Sequence, residues 1–129
     1  MTNYLLAIGW WNFGGSLLML GLFDRNFGRK MMNEWTRIFK TEFILDYWGK
    51  FWLGWAIGLN IFFGLVNILS VSWDHEAMQK FLVCSDLAAY LAFLCLAVWG
   101  IKAGRTGSGI YSVFVIFSFW IGWGIWVLM

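Results

Sequence analysis

Four apolar segments, each about twenty residues long and joined by short polar connections, constrain this chain more than any other feature. At ~1.5 Å of helical rise per residue, such a segment matches a hydrocarbon core of ~30 Å. Backbone groups in hydrocarbon must find hydrogen bonds within the protein, which leaves helices or closed barrels. A barrel needs alternating stretches of about ten residues, and none occurs here. The sequence therefore predicts an all-α integral membrane protein, a four-transmembrane-helix bundle forming one membrane domain over 1–129. Its spans are expected at about 4–23, 51–73, 81–101 and 110–129. Composition agrees, with 61% apolar and 12% charged residues, where a soluble domain has roughly 45–50% and about 25%. Proline is absent, so no span has a proline kink.

The connection between the first two spans behaves differently. Within about 31–46, Met31, Met32, Trp35 and Ile38 share a broad arc at ~100° per residue, with Asn33 and Arg37 opposite. This pattern predicts an interfacial amphipathic helix with its apolar face towards the acyl chains. Asp74 and Glu76 are placed to cap or charge the start of the third span.

Lysine and arginine set the orientation. Arg25, Arg29, Lys30, Arg37, Lys40 and Lys50 lie between spans one and two, Lys102 and Arg105 between three and four, and Lys80 alone lies on the other side. The positive-inside rule then puts both termini on the outer, periplasmic side of a bacterial or organellar inner membrane.

Polar side chains inside spans are costly and are the first places to look for function. Asn12 lies in the first span, Asn60 and Asn67 in the second, Asp86 and Tyr90 in the third. Asn60, Gly64 and Asn67 share one helix face, as do Asp86 and Tyr90. Asn67 precedes the outer end of its hairpin by about as many residues as Asp86 follows it, so both lie roughly 7–9 Å below the surface. The expected arrangement is a clasp in which the Asn67 amide donates to Asp86, with Tyr90 one turn deeper. The alternative makes Asp86 a proton or cation site. Gly54 and Gly58 form a GxxxG pattern on the second span, and Gly14 and Gly15 a small patch on the first, both candidates for helix packing.

No nucleophile with a base, paired acids or metal cluster stands at usable spacing, so catalysis by this chain is not expected. A single histidine, His75, excludes a haem held by two axial histidines within the chain. Cys84 and Cys95, about 16 Å apart along one helix, are expected as buried apolar thiols and cannot bridge each other within it. In architecture the chain resembles the small multidrug resistance exporters. It departs from them at the essential first-span glutamate, since the only intramembrane acid here is Asp86 in the third span. Its four-helix layout also resembles scaffolds that tether lipid-modifying enzymes. The expected function is a non-catalytic accessory or scaffold subunit of a larger membrane complex, respiratory or photosynthetic in kind. Lipid, quinone or pigment would contact its Trp- and Gly-rich faces, no cofactor is held within the chain, and nucleic acid is not a partner. The alternative is a small homo-oligomeric proton-coupled transporter or channel using Asp86.

Overall fold

The computed structural model describes residues 1–39, 46–73, 75–104 and 109–129. Among these residues the fold is all-helical: α1 (Thr2–Leu20), a 3-10 turn at Gly21–Phe23, α2 (Arg25–Phe39), α3 (Tyr47–Ser70), α4 (Glu76–Lys102) and α5 (Ile110–Leu128). Four stretches of helix, Thr2–Phe23, Gly49–Ser70, Glu76–Lys102 and Ile110–Leu128, are long and apolar enough to cross a bilayer, the mark of an integral membrane protein.

Helices α2 and α3 start earlier than hydropathy alone suggests, because capping side chains set their starts. The carboxylate of Asp24 accepts from the backbone amides of Asn26 (3.0 Å) and Phe27 (2.7 Å). These bonds satisfy donors that every helix start leaves open, and α2 begins at Arg25 rather than near residue 31. Asp46 does the same for α3 by accepting from Gly49 N at 2.6 Å, so that helix begins at Tyr47 rather than near 51. The expected continuation of the interfacial helix through 40–45, the cap at Asp74 and the inner charge of Arg105 lie outside the described residues. Glu76 opens α4 and pairs with Lys80 one turn on, at 2.7 Å on an exposed face.

The helices form two closely packed antiparallel pairs, α1 with α3 and α4 with α5, which meet each other over smaller contacts. In the first pair Gly9 lies against Gly64 and Ile68, Phe13 against Gly64, and Phe23 against Gly54. A Cβ at Gly64 would stand 2.7 Å from Phe13 N and 2.8 Å from the Gly9 carbonyl oxygen. One at Gly9 would stand 2.9 Å from the Gly64 carbonyl oxygen. Only residues without a side chain allow two backbones this close. Among the described residues, Gly14, Gly15 and Gly58 have nothing within 4 Å of a Cβ position and Gly54 meets only the ring of Phe23, so the close contact inside the bundle is made at Gly9 and Gly64, outside the GxxxG pattern.

The two pairs join through a core of Tyr4, Leu5, Ile8, Leu82, Val83, Tyr90 and Trp120. Tyr4 meets Trp120 and Trp123 edge-on, with centroids 6.2 and 5.7 Å apart, and the two indoles stack at 5.8 Å. Gly124 lets Leu87 and the Tyr4 hydroxyl approach α5. The start of α1 therefore sits beside the end of α5. Cys84 and Cys95 are exposed on α4 rather than buried; the surface they occupy faces away from the bundle, where acyl chains are as apolar as a protein core.

Substitution of Gly64 by alanine sets a methyl group against backbone atoms that cannot give way. It is expected to destabilise the bundle by about 1–3 kcal/mol, while Gly58→Ala leaves stability unchanged or raised. Thermal unfolding of the purified chain in mild detergent distinguishes the two.

Candidate functional site

The α1–α3 contact places two asparagines with one stroke. Asn12 lies one turn beyond Gly9, and Asn67 one turn beyond Gly64, so the close approach of the glycines turns both amides towards α4. There, Asp86 and Tyr90 present their own i, i+4 stripe. Asn67 Nδ2 donates to both carboxylate oxygens of Asp86, at 3.0 and 3.2 Å, and the Tyr90 hydroxyl donates to Asn12 Oδ1 at 3.0 Å. Asn67, Asp86 and Tyr90 are 1%, 6% and 6% exposed. Two interhelical bonds thus tie α3 and α1 to adjacent turns of α4.

Asn60, the third member of the α3 stripe, is not brought into this cluster and is exposed. The contact between α3 and α4 is far smaller than that between α1 and α3, and its hydrogen bonds gather at the Asn67 end, two turns from Asn60. The cluster also holds a residue that the spacing argument did not pick out. Tyr4 is fully buried, and among the described residues neither its hydroxyl nor Asn67 Oδ1 has a hydrogen-bond partner. The signal was available in topology: with the first and third spans running parallel, Tyr4 near the start of one falls near the level of Asp86 in the other.

Above the cluster the end of α3 is closed by its own polar groups. Ser70 Oγ donates to the Asn67 carbonyl oxygen at 2.7 Å. Gln79 Nε2, from the start of α4, donates to the carbonyl oxygens of Ser70 (3.1 Å) and Trp73 (3.2 Å). These satisfy acceptors that a helix C-terminus leaves open. Below the cluster, Tyr90 packs on Phe117, with centroids 5.0 Å apart.

Chemically the cluster is a sealed set of one carboxyl group, two amides and two phenols. It holds no second carboxylate, and among the described residues no group of three His, Cys, Asp or Glu side chains is disposed to hold a metal ion. Compared with models of known families, with characterised proteins and with solved structures, the chain matches none.

Asn67→Ala takes from the Asp86 carboxyl group the amide that donates to it and is expected to cost about 1–3 kcal/mol. A double-mutant cycle of Asn67→Ala with Asp86→Ala is expected to give a coupling of about 0.6 kcal/mol, the average for interhelical hydrogen bonds in membranes, and no more than about 1.7 kcal/mol. Strictly additive unfolding free energies would show that the bond contributes nothing.

Proposed function

We propose that this chain is a non-catalytic accessory subunit of a larger membrane protein complex. The observation that carries the reading is Asn60. It stands in the middle of α3, exposed and, among the described residues, without a hydrogen-bond partner for its side chain. An amide facing hydrocarbon is costly, and a neighbouring helix that supplies a hydrogen bond removes the cost. The other intramembrane amides, Asn12 and Asn67, are engaged in bonds between this chain's own helices, with Tyr90 and Asp86.

Other features support the same reading. Gly58 is open to the outside of α3, and a small residue there lets another helix approach closely. Trp10 and Trp55, 58% and 61% exposed at mid-span, offer broad rings and indole N–H groups to a neighbour, a lipid, a quinone or a pigment. Helix α2 leaves the end of α1, and the carbonyl oxygen of Ile38 in its last turn accepts from Gly109 N at the start of α5, at 3.4 Å. A helix running between those two points lies across one end of the bundle, with Met32 turned inward and its Glu34–Arg37 pair outward. That course supports reading α2 as an interfacial helix, and the positive-inside rule favours the inner side of the membrane for it, with both termini outside.

Asn60→Leu separates this role from a solitary one. In the isolated chain it exchanges a lipid-facing amide for an apolar side chain, so the unfolding temperature is expected to hold or rise. Isolated in mild detergent from its native membrane, the wild-type chain is expected to carry larger subunits in fixed ratio, and Asn60→Leu to lose them. A chain that purifies alone as a homodimer, with Asp86→Asn abolishing proton-coupled transport in vesicles, overturns the reading in favour of a transporter.

A further inference from the structure

A cleft of about 500 Å³ opens between the 3-10 turn that ends the first span, the first half of α2 and the first turn of α3. It lies at the opposite end of the bundle from Asp86: Lys50 on its wall precedes Asn67 by about 25 Å along α3. Arg25, Arg29 and Lys50 line it against a single acid, Asp24. One oxygen of that carboxylate is already engaged in capping α2. Among the described residues none of the three cations is held in an ion pair. Leu22 and Met32, both buried, give the cleft an apolar floor, and Asn33 adds an amide at its edge. Gly28 allows this geometry, since a Cβ there would collide with the Leu22 carbonyl oxygen and push α2 away from the turn.

We propose that this cleft binds the phosphate headgroup of an anionic phospholipid, held by Arg25, Arg29 and Lys50, with the acyl chains leaving past Leu22, Phe23 and Met32. Guanidinium groups match phosphate oxygens in geometry as well as charge, and the volume falls within the range of small-ligand sites. Depth selects a lipid over a soluble anion. The first apolar span ends at Phe23 and the second begins at Gly49, so Arg25, Arg29 and Lys50 stand where the hydrocarbon gives way to headgroups. Basic clefts at that level on the inner side of membrane proteins are suited to anionic lipids. An apolar floor beside the cations serves a molecule with a charged head and a hydrocarbon tail. The inference rests on the bilayer placement of the four spans and deepens the lipid contact proposed above; it does not need the accessory role.

The test uses the purified full chain in mild detergent, with phosphatidylglycerol, phosphatidylcholine or inorganic phosphate added in parallel. Bound lipid is read by native mass spectrometry and stabilisation by thermal unfolding. Phosphatidylglycerol is expected to bind and to raise the unfolding temperature, less so at high ionic strength, while the other two leave it unchanged. Each of Arg25→Gln, Arg29→Gln and Lys50→Gln is expected to weaken phosphatidylglycerol binding about five-fold, and the triple variant roughly a hundredfold. The three side chains are exposed, so lipid-free stability is expected to stay at the wild-type value, and each single variant reports by itself. Asn60→Leu, on a different part of α3, is expected to bind phosphatidylglycerol like the wild type, so loss of a partner and loss of lipid are read separately. Undiminished binding by the triple variant, equal stabilisation by phosphatidylcholine, or the same shift from inorganic phosphate each overturns the proposal.

Discussion

The close approach of α1 and α3 at Gly9 and Gly64 governs the geometry of this protein. Between membrane helices the hydrophobic effect gives little drive, because a lipid tail is as apolar as leucine, and association depends on packing and on polar links. Two facing glycines supply the packing by allowing backbone-to-backbone contact. Their position in sequence supplies the links, since Asn12 and Asn67 each follow a glycine by one turn and are turned by it towards α4. A wider α1–α3 spacing would move both amides away from Tyr90 and Asp86, and with them the join between the two helix pairs. The aromatic core around Tyr4 and Trp120 then fills the space that these bonds define.

The two ends of the bundle have opposite chemistry. At the end where the chain starts and finishes, the Asn67–Asp86 bond and the fully buried Tyr4 form an interior in which polar groups face one another. At the other, Arg25, Arg29 and Lys50 stand around an open cleft with no ion pair among the described residues, and α2 runs from the end of α1 to the start of α5. The difference follows from solvent. Charges at the level of headgroups keep water and phosphate as partners and need no neutralisation by the protein, whereas groups one or two turns inside the hydrocarbon have only each other. Asp24 and Asp46 fit the same scheme: both acids are spent on helix starts, where a carboxylate satisfies backbone amides, rather than on the cations beside them.

Much of this was legible in the sequence, for different reasons at different residues. Segment length and apolarity located the four membrane-crossing stretches, because a bilayer of fixed thickness fixes the length of a helix that spans it. The meeting of Asn67 and Asp86 followed from counting residues on either side of one connection, where depth converts directly into sequence distance. The packing glycines did not follow. Gly54 and Gly58 satisfy the GxxxG spacing, yet Gly9 and Gly64 make the contact. A motif within one helix says nothing about which face the neighbour takes, and the contact pairs single glycines from two helices. Helix starts were misplaced where hydropathy was used alone, since a capped helix extends past the hydrocarbon into the charged stretch.

Asn60 and Asn67 show why a shared helix face does not imply a shared environment. They differ by seven residues, two turns of one stripe, and would meet the same neighbour if α3 and α4 stayed together along their length. Their contact is smaller than that: the Asn67 bond and the Gln79 contacts with Ser70 and Trp73 gather near the connection. The packing of α3 is given instead to α1, on the side set by the two glycines. A helix that commits one side to a backbone contact and the end of another to a hydrogen bond leaves the remainder of that second side open. Asn60 is what remains there. On the accessory reading, the surface beside it, between the deeper parts of α3 and α4, is therefore where a partner helix finds both space to enter and an amide to bond.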